Sequence, residues 1–266
     1  MRRTKVAALA TASLFCAAAM VPLAAPSVAG PAAPDVESAV DGSLAHPDLR
    51  TMPWQKRYEA IRQAGLEQRL RSGGKGDVQK VGKGTFAKVA QTGTDKIFVV
   101  LAEFGDTRHS AFPDGETDAT TYLGPLHNQI PKPNRSTDTS TIWQKDYSQA
   151  HFADMYDKRM KNFYETQSHG KYSVDGDVTE WVKVPFNQAR YGRDVCGDVV
   201  CNNTWFLVRD ALAEWTQLKL DDGWTMQRIQ DYLKTFDLQD RYDFDEDGDF
   251  DEPDGYIDHF QIVHAG

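Results

Sequence analysis

Cysteine is scarce in this chain: there are three, Cys16, Cys196 and Cys201, in 266 residues. The last two close the stretch CGDVVC and are too few to make a tetrahedral zinc site by themselves. In an oxidising compartment they are spaced for a local disulfide. Free thiols are the alternative, because sequence does not give the Cα separation. Positive charge is also short, with 30 Lys and Arg against 39 Asp and Glu and a net charge of −9. Phosphate contacts need Lys and Arg, so this balance argues against a nucleic-acid partner and against adhesion to anionic lipid. The one long apolar run, residues 6–21, is shorter than the ~20 residues of a membrane span, and no basic stop-transfer cluster follows it. No stable membrane anchor is expected.

The common catalytic motifs are missing as well. The sequence holds no H-E-x-x-H, no G-x-S-x-G, no P-loop and no G-x-G-x-x-G. His259 and His264 are five residues apart; on one strand they would face opposite sides and could not share a metal. His109, His127, His151 and His169 are scattered without a partner motif. The carboxylates are too many to single out a glycosidase pair.

What is present begins with a secretory signal. Arg2, Arg3 and Lys5 precede the apolar run, and Ser27-Val28-Ala29 supplies the small residues for cleavage, which sets a signal over residues 1–29. Its removal takes those three positive charges and no carboxylate, so the net charge moves from −9 to −12. A secreted, extracellular protein is expected. Residues 53–71 predict a helix, with Trp54, Tyr58, Ile61, Leu66 and Leu70 near one face and Pro53 suited to its first turn. Residues 71–88, RSGGKGDVQKVGKGTFAK, carry five glycines and five basic residues and read as a flexible tether open to proteases.

A globular part then starts near residue 94. KIFVVLAEF, residues 96–104, predicts a strand buried on both faces. Residues 148–170 predict a helix capped by Ser148 and stopped by Gly170, with Phe152, Met155, Tyr156, Met160, Phe163 and Tyr164 as core. KYSVDGDVTEWVKVPF reads as two strands parted by a turn at Asp175-Gly176. NTWFLVRDALAEWTQLKL and TMQRIQDYLKTF predict two helices, the second with Met226, Ile229, Leu233 and Phe236 on one face, and YIDHFQIVH a last strand. Strands and helices interleave, so the class is α/β or α+β.

Residues 237–258 hold eleven Asp or Glu and one Arg. Counting Asp243 as position 1 puts Asp245 at 3, Asp247 at 5, Gly248 at 6, Asp249 at 7, Phe250 at 8 and Asp254 at 12. This is the D-x-D-x-D-G spacing of a calcium loop: hard oxygen ligands on alternate residues, a glycine for the sharp turn and an apolar anchor. Asp at position 12 is one methylene shorter than the usual Glu, and a strand-like segment follows where an EF-hand has a helix. Calcium on Asp243, Asp245, Asp247, Asp249 and Asp254 is therefore expected outside a true EF-hand. A solvated acidic turn is the alternative.

Four blocks, GPLHNQIPKPNRSTDTSTIWQKDYSQAHF, MKNFYETQSHGKYSVDGDVTEWVKVP, CNNTWFLVRDAL and DGDFDEPDGYIDHFQIVHAG, resemble the immune inhibitor A-type secreted bacterial zinc metallopeptidases. The resemblance runs from about residue 94 to the end. It implies a zincin-like catalytic domain with a mixed sheet and packed helices, of which residues 94–266 are a truncated amino-terminal part. It also implies zinc held by an H-E-x-x-H helix downstream of this sequence, and protein or peptide substrates. Residues 30–93 would be a propeptide and basic linker, bound to the chain's own catalytic domain and cut on maturation within the tether, near Lys83 or Lys88. No catalytic residue carries over, so the chain alone is expected to be inactive. A non-catalytic secreted calcium-binding module is the competing reading.

Overall fold

A computed structural model describes residues 53–110, 126–129, 131–140, 142–192 and 203–265, all within the unit His46–Gly266. The signal, Cys196 and Cys201 lie outside the described residues. Among those described, no helix is long and apolar enough to cross a membrane.

The centre is β3, Gly93–Glu103, flanked by β4, Tyr172–Lys183, and β5, Phe260–His264, in a parallel sheet of order β4-β3-β5. Phe98, Val99, Val100 and Leu101 are fully buried, as a continuous apolar run between two covered faces requires. On one face α5, Asn203–Asp221, and α6, Met226–Leu233, bring Leu207, Ala211, Trp215 and Ile229 onto Phe98, Val100, Ala102 and Phe104. On the other, α2, Gln149–Asp154, and the π turn Met155–Met160 bring Phe152 and Tyr156 onto Ile97, Val99 and Leu101. The fold is thus α/β, with helices on both faces.

The helix expected over 148–170 begins and ends as expected. Ser148 Oγ accepts from the His151 amide at 3.4 Å, and Gly170 takes a φ of +76°, the left-handed conformation that closes a helix after α3, Lys161–Gln167. Between them, the π turn interrupts the 3.6-residue period. Phe152 and Tyr156 enter the core, whereas Met155, Phe163 and Tyr164 are exposed.

Two expectations are corrected. The turn at Asp175-Gly176 does not form, and β4 runs straight through it. The glycine serves packing instead: a Cβ at Gly176 would lie 2.4 Å from Tyr156 Cβ, so the missing side chain lets the π turn press onto the sheet. The tether at 71–88 is not free either. After α1, Pro53–Arg71, it folds into an antiparallel hairpin of β1, Val78–Gly82, and β2, Thr85–Lys88. Gly65 of α1 sits close on this hairpin, since a Cβ there would fall 2.6 Å from Ala87 Cβ.

Asp95, near the start of β3, ties the amino-terminal ends of all three strands. Its buried carboxylate accepts from Tyr172 Oη at 2.8 Å and Gln239 Nε2 at 2.5 Å, pairs with His259 Nε2 at 3.0 Å, and meets Gln91 Nε2 at 3.0 and 3.1 Å. Burial pushes its pKa up, but the bonds from His259, Tyr172 and Gln239 outweigh it and hold the carboxyl below its usual range. Gln239 and His259 flank the alternating-Asp stretch 243–254, so this hub also anchors the loop's two ends to the sheet.

Candidate metal site

The acidic segment owes its shape to its own side chains. The Asp240 carboxylate accepts from the amides of Tyr242 at 3.1 Å and Phe244 at 2.6 Å. Asp243 accepts from Gly248 N at 2.8 Å, Asp245 from Asp247 N at 3.2 Å, Asp247 from Asp249 N at 2.6 Å, and Asp249 from Asp251 N at 3.0 Å. Short Asp side chains bond the backbone two residues on, and repeating this on alternate residues coils the chain. Asp243 and Glu246 take φ values of 51° and 62°. Gly248 has φ +86°, and a Cβ there would meet Phe86 Cδ1 at 2.8 Å, so both conformation and space require glycine. Phe250 is buried as the apolar anchor.

The coil brings carboxylates together. One oxygen each of Asp243, Asp245 and Asp247 lies within 4.8 Å of the others, and Asp240, Asp245 and Glu252 form a second such group. Asp245 belongs to both. Asp249 and Asp254 are in neither. Asp254 bonds the Tyr256 amide at 2.9 Å, and its own amide donates to Asp237 at 2.9 Å. Asp240 and Glu252 fall outside the alternate-residue count from Asp243 and were invisible to it. Asp240 is buried and precedes the loop, so only the fold turns it inward.

The electrostatics follow from the crowding. Burial raises the Asp243 pKa, and the charges of Asp240, Asp245 and Asp247 raise it further. Burial and the charges of Asp247, Asp245, Asp249 and Asp240 do the same for Glu252. Two unit charges 4 Å apart repel by about 1 kcal/mol even at bulk-water dielectric. An all-oxygen set of this kind suits a hard cation such as calcium. It does not suit zinc, which favours nitrogen and sulfur ligands; among the described residues neither carboxylate group includes a His or Cys.

A second ordered arrangement, missed in sequence, stands at the carboxyl end of β3. Glu103 Oε2 lies 2.7 Å from His127 Nδ1 and accepts from the His127 amide at 3.2 Å, while the imidazole stacks on Trp181 with centroids 4.6 Å apart. His264, by contrast, packs edge-on against Phe104 on the opposite face.

Residues 84–266, which hold the parallel sheet and the acidic, coiled loop leading into its third strand, match the family described as immune inhibitor A peptidase M6, catalytic domain; the resemblance implies a mixed sheet, whereas the three described strands around β3 are all parallel. The chain belongs to this family. Immune inhibitor A of Bacillus thuringiensis subsp. alesti is 30% identical over 188 residues, which cover 65% of this chain and 22% of that protein. The pre-pro-metalloprotease PrtV of Vibrio cholerae serotype O1 (strain M66-2) is 33% identical over 223 residues, 75% of this chain and 22% of that protein. The chain thus spans about a fifth of the length of these relatives. The peptidase M6 match begins at residue 84, ahead of the boundary expected near 94, and takes in β2.

Proposed function

We propose that this chain is the amino-terminal portion of a secreted zinc-dependent endopeptidase, with a calcium loop that fixes the third strand of its catalytic domain. The observation that carries the reading is the catalytic-domain match over 84–266, which includes the sheet and the loop together. Zinc would supply a Lewis acid and an activated water. Its ligands are not among these residues, since the sequence has no H-E-x-x-H. What the chain contributes is support. Asp243, Asp245 and Asp247, with Asp240 and Glu252 from the second group, would hold calcium, and Asp249 and Asp254 would join through water or a small shift of the loop. Calcium removes the mutual repulsion, and the ordered loop delivers Phe260 to the register position opposite Phe98. Residues before the catalytic domain would act as a propeptide, and Cys196 with Cys201 would close a disulfide after export.

The test is an assay of casein hydrolysis by this chain and by the longer protein read from the same gene. The longer protein is expected to contain H-E-x-x-H, to cleave casein and to stop when zinc is chelated; this chain alone should be inactive. A longer protein with no such motif and no hydrolysis would favour the secreted calcium-binding module.

A further inference from the structure

The hairpin and α1, which the sequence joined in one pre-segment, are held by very different contacts. The hairpin is clamped to the acidic loop. Lys88 Nζ lies 2.5 Å from Asp251 Oδ1, with the Lys88 side chain largely covered. Phe86 packs against Gly248, and at Gly84 a Cβ would lie 2.7 Å from Glu246 Oε2. Its strands pair Val78 with Lys88, Gln79 with Ala87 and Lys80 with Phe86. The bonds after Lys80 and Lys88 therefore lie in or beside a paired ladder pressed on another part of the fold, and the bond after Lys83 lies in the two-residue hairpin turn, where Gly84 is held close against Glu246.

The helix lies on the hairpin, with Gly65 close against Ala87 and Val89. From residue 55 to 71 its one buried residue is Gly65, and Leu70 is 80% exposed. Its further hold on the domain includes the ring of Tyr58 on Tyr242, with centroids 4.6 Å apart. Between helix and hairpin runs the turn 72–77, exposed at every residue. Gly73, Gly74 and Gly76 there have φ near +79°, and nothing lies within 4 Å of a Cβ built at Gly73 or Gly74. Gln79 Nε2 bonds the carbonyls of Lys75 and Gly76, which fixes the far end of the turn to β1, while Arg69 pairs with Asp77 at 3.4 Å across its exposed face.

We propose that maturation cuts the chain in this turn, after Arg71 or Lys75, so that α1 and all that precedes it is the detachable piece. The β1–β2 hairpin stays with the catalytic domain as the inner wall of the metal loop. The step is hydrolysis of one peptide bond by an endopeptidase acting in trans: water supplies the hydroxyl of the new carboxyl terminus and a proton to the new amine. An endopeptidase needs a bond that can be drawn out extended, which an exposed turn offers and a paired strand does not. The proposal rests on the propeptide reading for its biological meaning, and its test does not depend on peptidase activity.

The exported chain is treated briefly with dilute trypsin in millimolar calcium, and the products are read by mass. The first new amino terminus is expected at Ser72 or Gly76, with the bonds after Lys80, Lys83 and Lys88 cut at least tenfold more slowly. Asp251→Asn, which removes the Lys88 partner, should speed the cuts after Lys83 and Lys88 and leave the turn's rate unchanged. The secreted, processed protein should begin between residues 72 and 78 by amino-terminal sequencing. Equal rates at the turn and hairpin, or a mature start at or beyond residue 84, would overturn the proposal. A clean early cut in this chain, with no casein hydrolysis by the longer protein read from the same gene, would sink the functional reading and leave this one intact.

Discussion

Around Phe98 the backbone is satisfied by strand pairing, and the side chains are apolar and sealed from water. At 237–258 the backbone donors are no less demanding, yet carboxylates meet many of them: Asp237, Asp240, Asp243, Asp245, Asp247, Asp249, Asp254 and Asp258 each accept from at least one main-chain amide. The core gains stability from burial and needs nothing else. The loop orders itself locally while accumulating charge, so its stability should depend on what neutralises that charge. One protein therefore contains an uncharged, sealed region and a region crowded with carboxylates, joined at Asp95 through Gln239 and His259.

The largest effect should come from breaking the first region. Trp215 is 1% exposed and packs edge-on against Phe98 at 5.2 Å. Trp215→Ala should cost about 3–5 kcal/mol, read by urea unfolding, and the loss should be the same with and without calcium. Next comes overpacking at Gly176→Ala, where the new methyl meets Tyr156; about 1–3 kcal/mol is expected, and a neutral result would mean that the π turn is free to move off the sheet.

The junction should give a smaller, pH-dependent effect. The folded Asp95 pKa lies below its unfolded value of about 3.9. A depressed carboxyl contributes stability that is present above the unfolded pKa and lost as pH falls through the folded one. Wild type should therefore lose the stability this group contributes as pH falls below about 4, and Asp95→Asn should flatten that part of the profile. An unchanged acid limb in the variant would show that Asp95 does not couple sheet and loop.

The two regions also differed in how much of them could be read from sequence. The 96–104 run is continuous and apolar, and a strand with two covered faces follows directly. Ser148 and Gly170 marked helix ends because what they do is local: a hydroxyl that caps an amide, and a backbone free to take positive φ. The loop's Asp243, Asp245 and Asp247 were legible for the same reason, since alternate short carboxylates coil their own backbone. What stayed hidden depended on distant partners. Gly176 is a contact with Tyr156, not a turn. Residues 78–88 are a hairpin because α1 and the acidic loop lie against them, and their glycines alone suggest a tether. Asp240 and Glu252 join the carboxylates only once the chain has folded back. His127 is held by Glu103, 24 residues away in sequence, a separation no motif records.

The most direct test is a calcium titration of the melting temperature, comparing the exported protein with its Asp245→Ala/Asp247→Ala variant. At a tenfold excess over Kd, mass action adds about 1.4 kcal/mol, a rise of roughly 3–6 °C for a domain of this size. Magnesium should give less, because it keeps its waters and demands octahedral geometry. The double variant should lose most of the calcium rise. An equal rise in variant and wild type would contradict calcium binding here and leave residues 237–258 a solvated acidic turn.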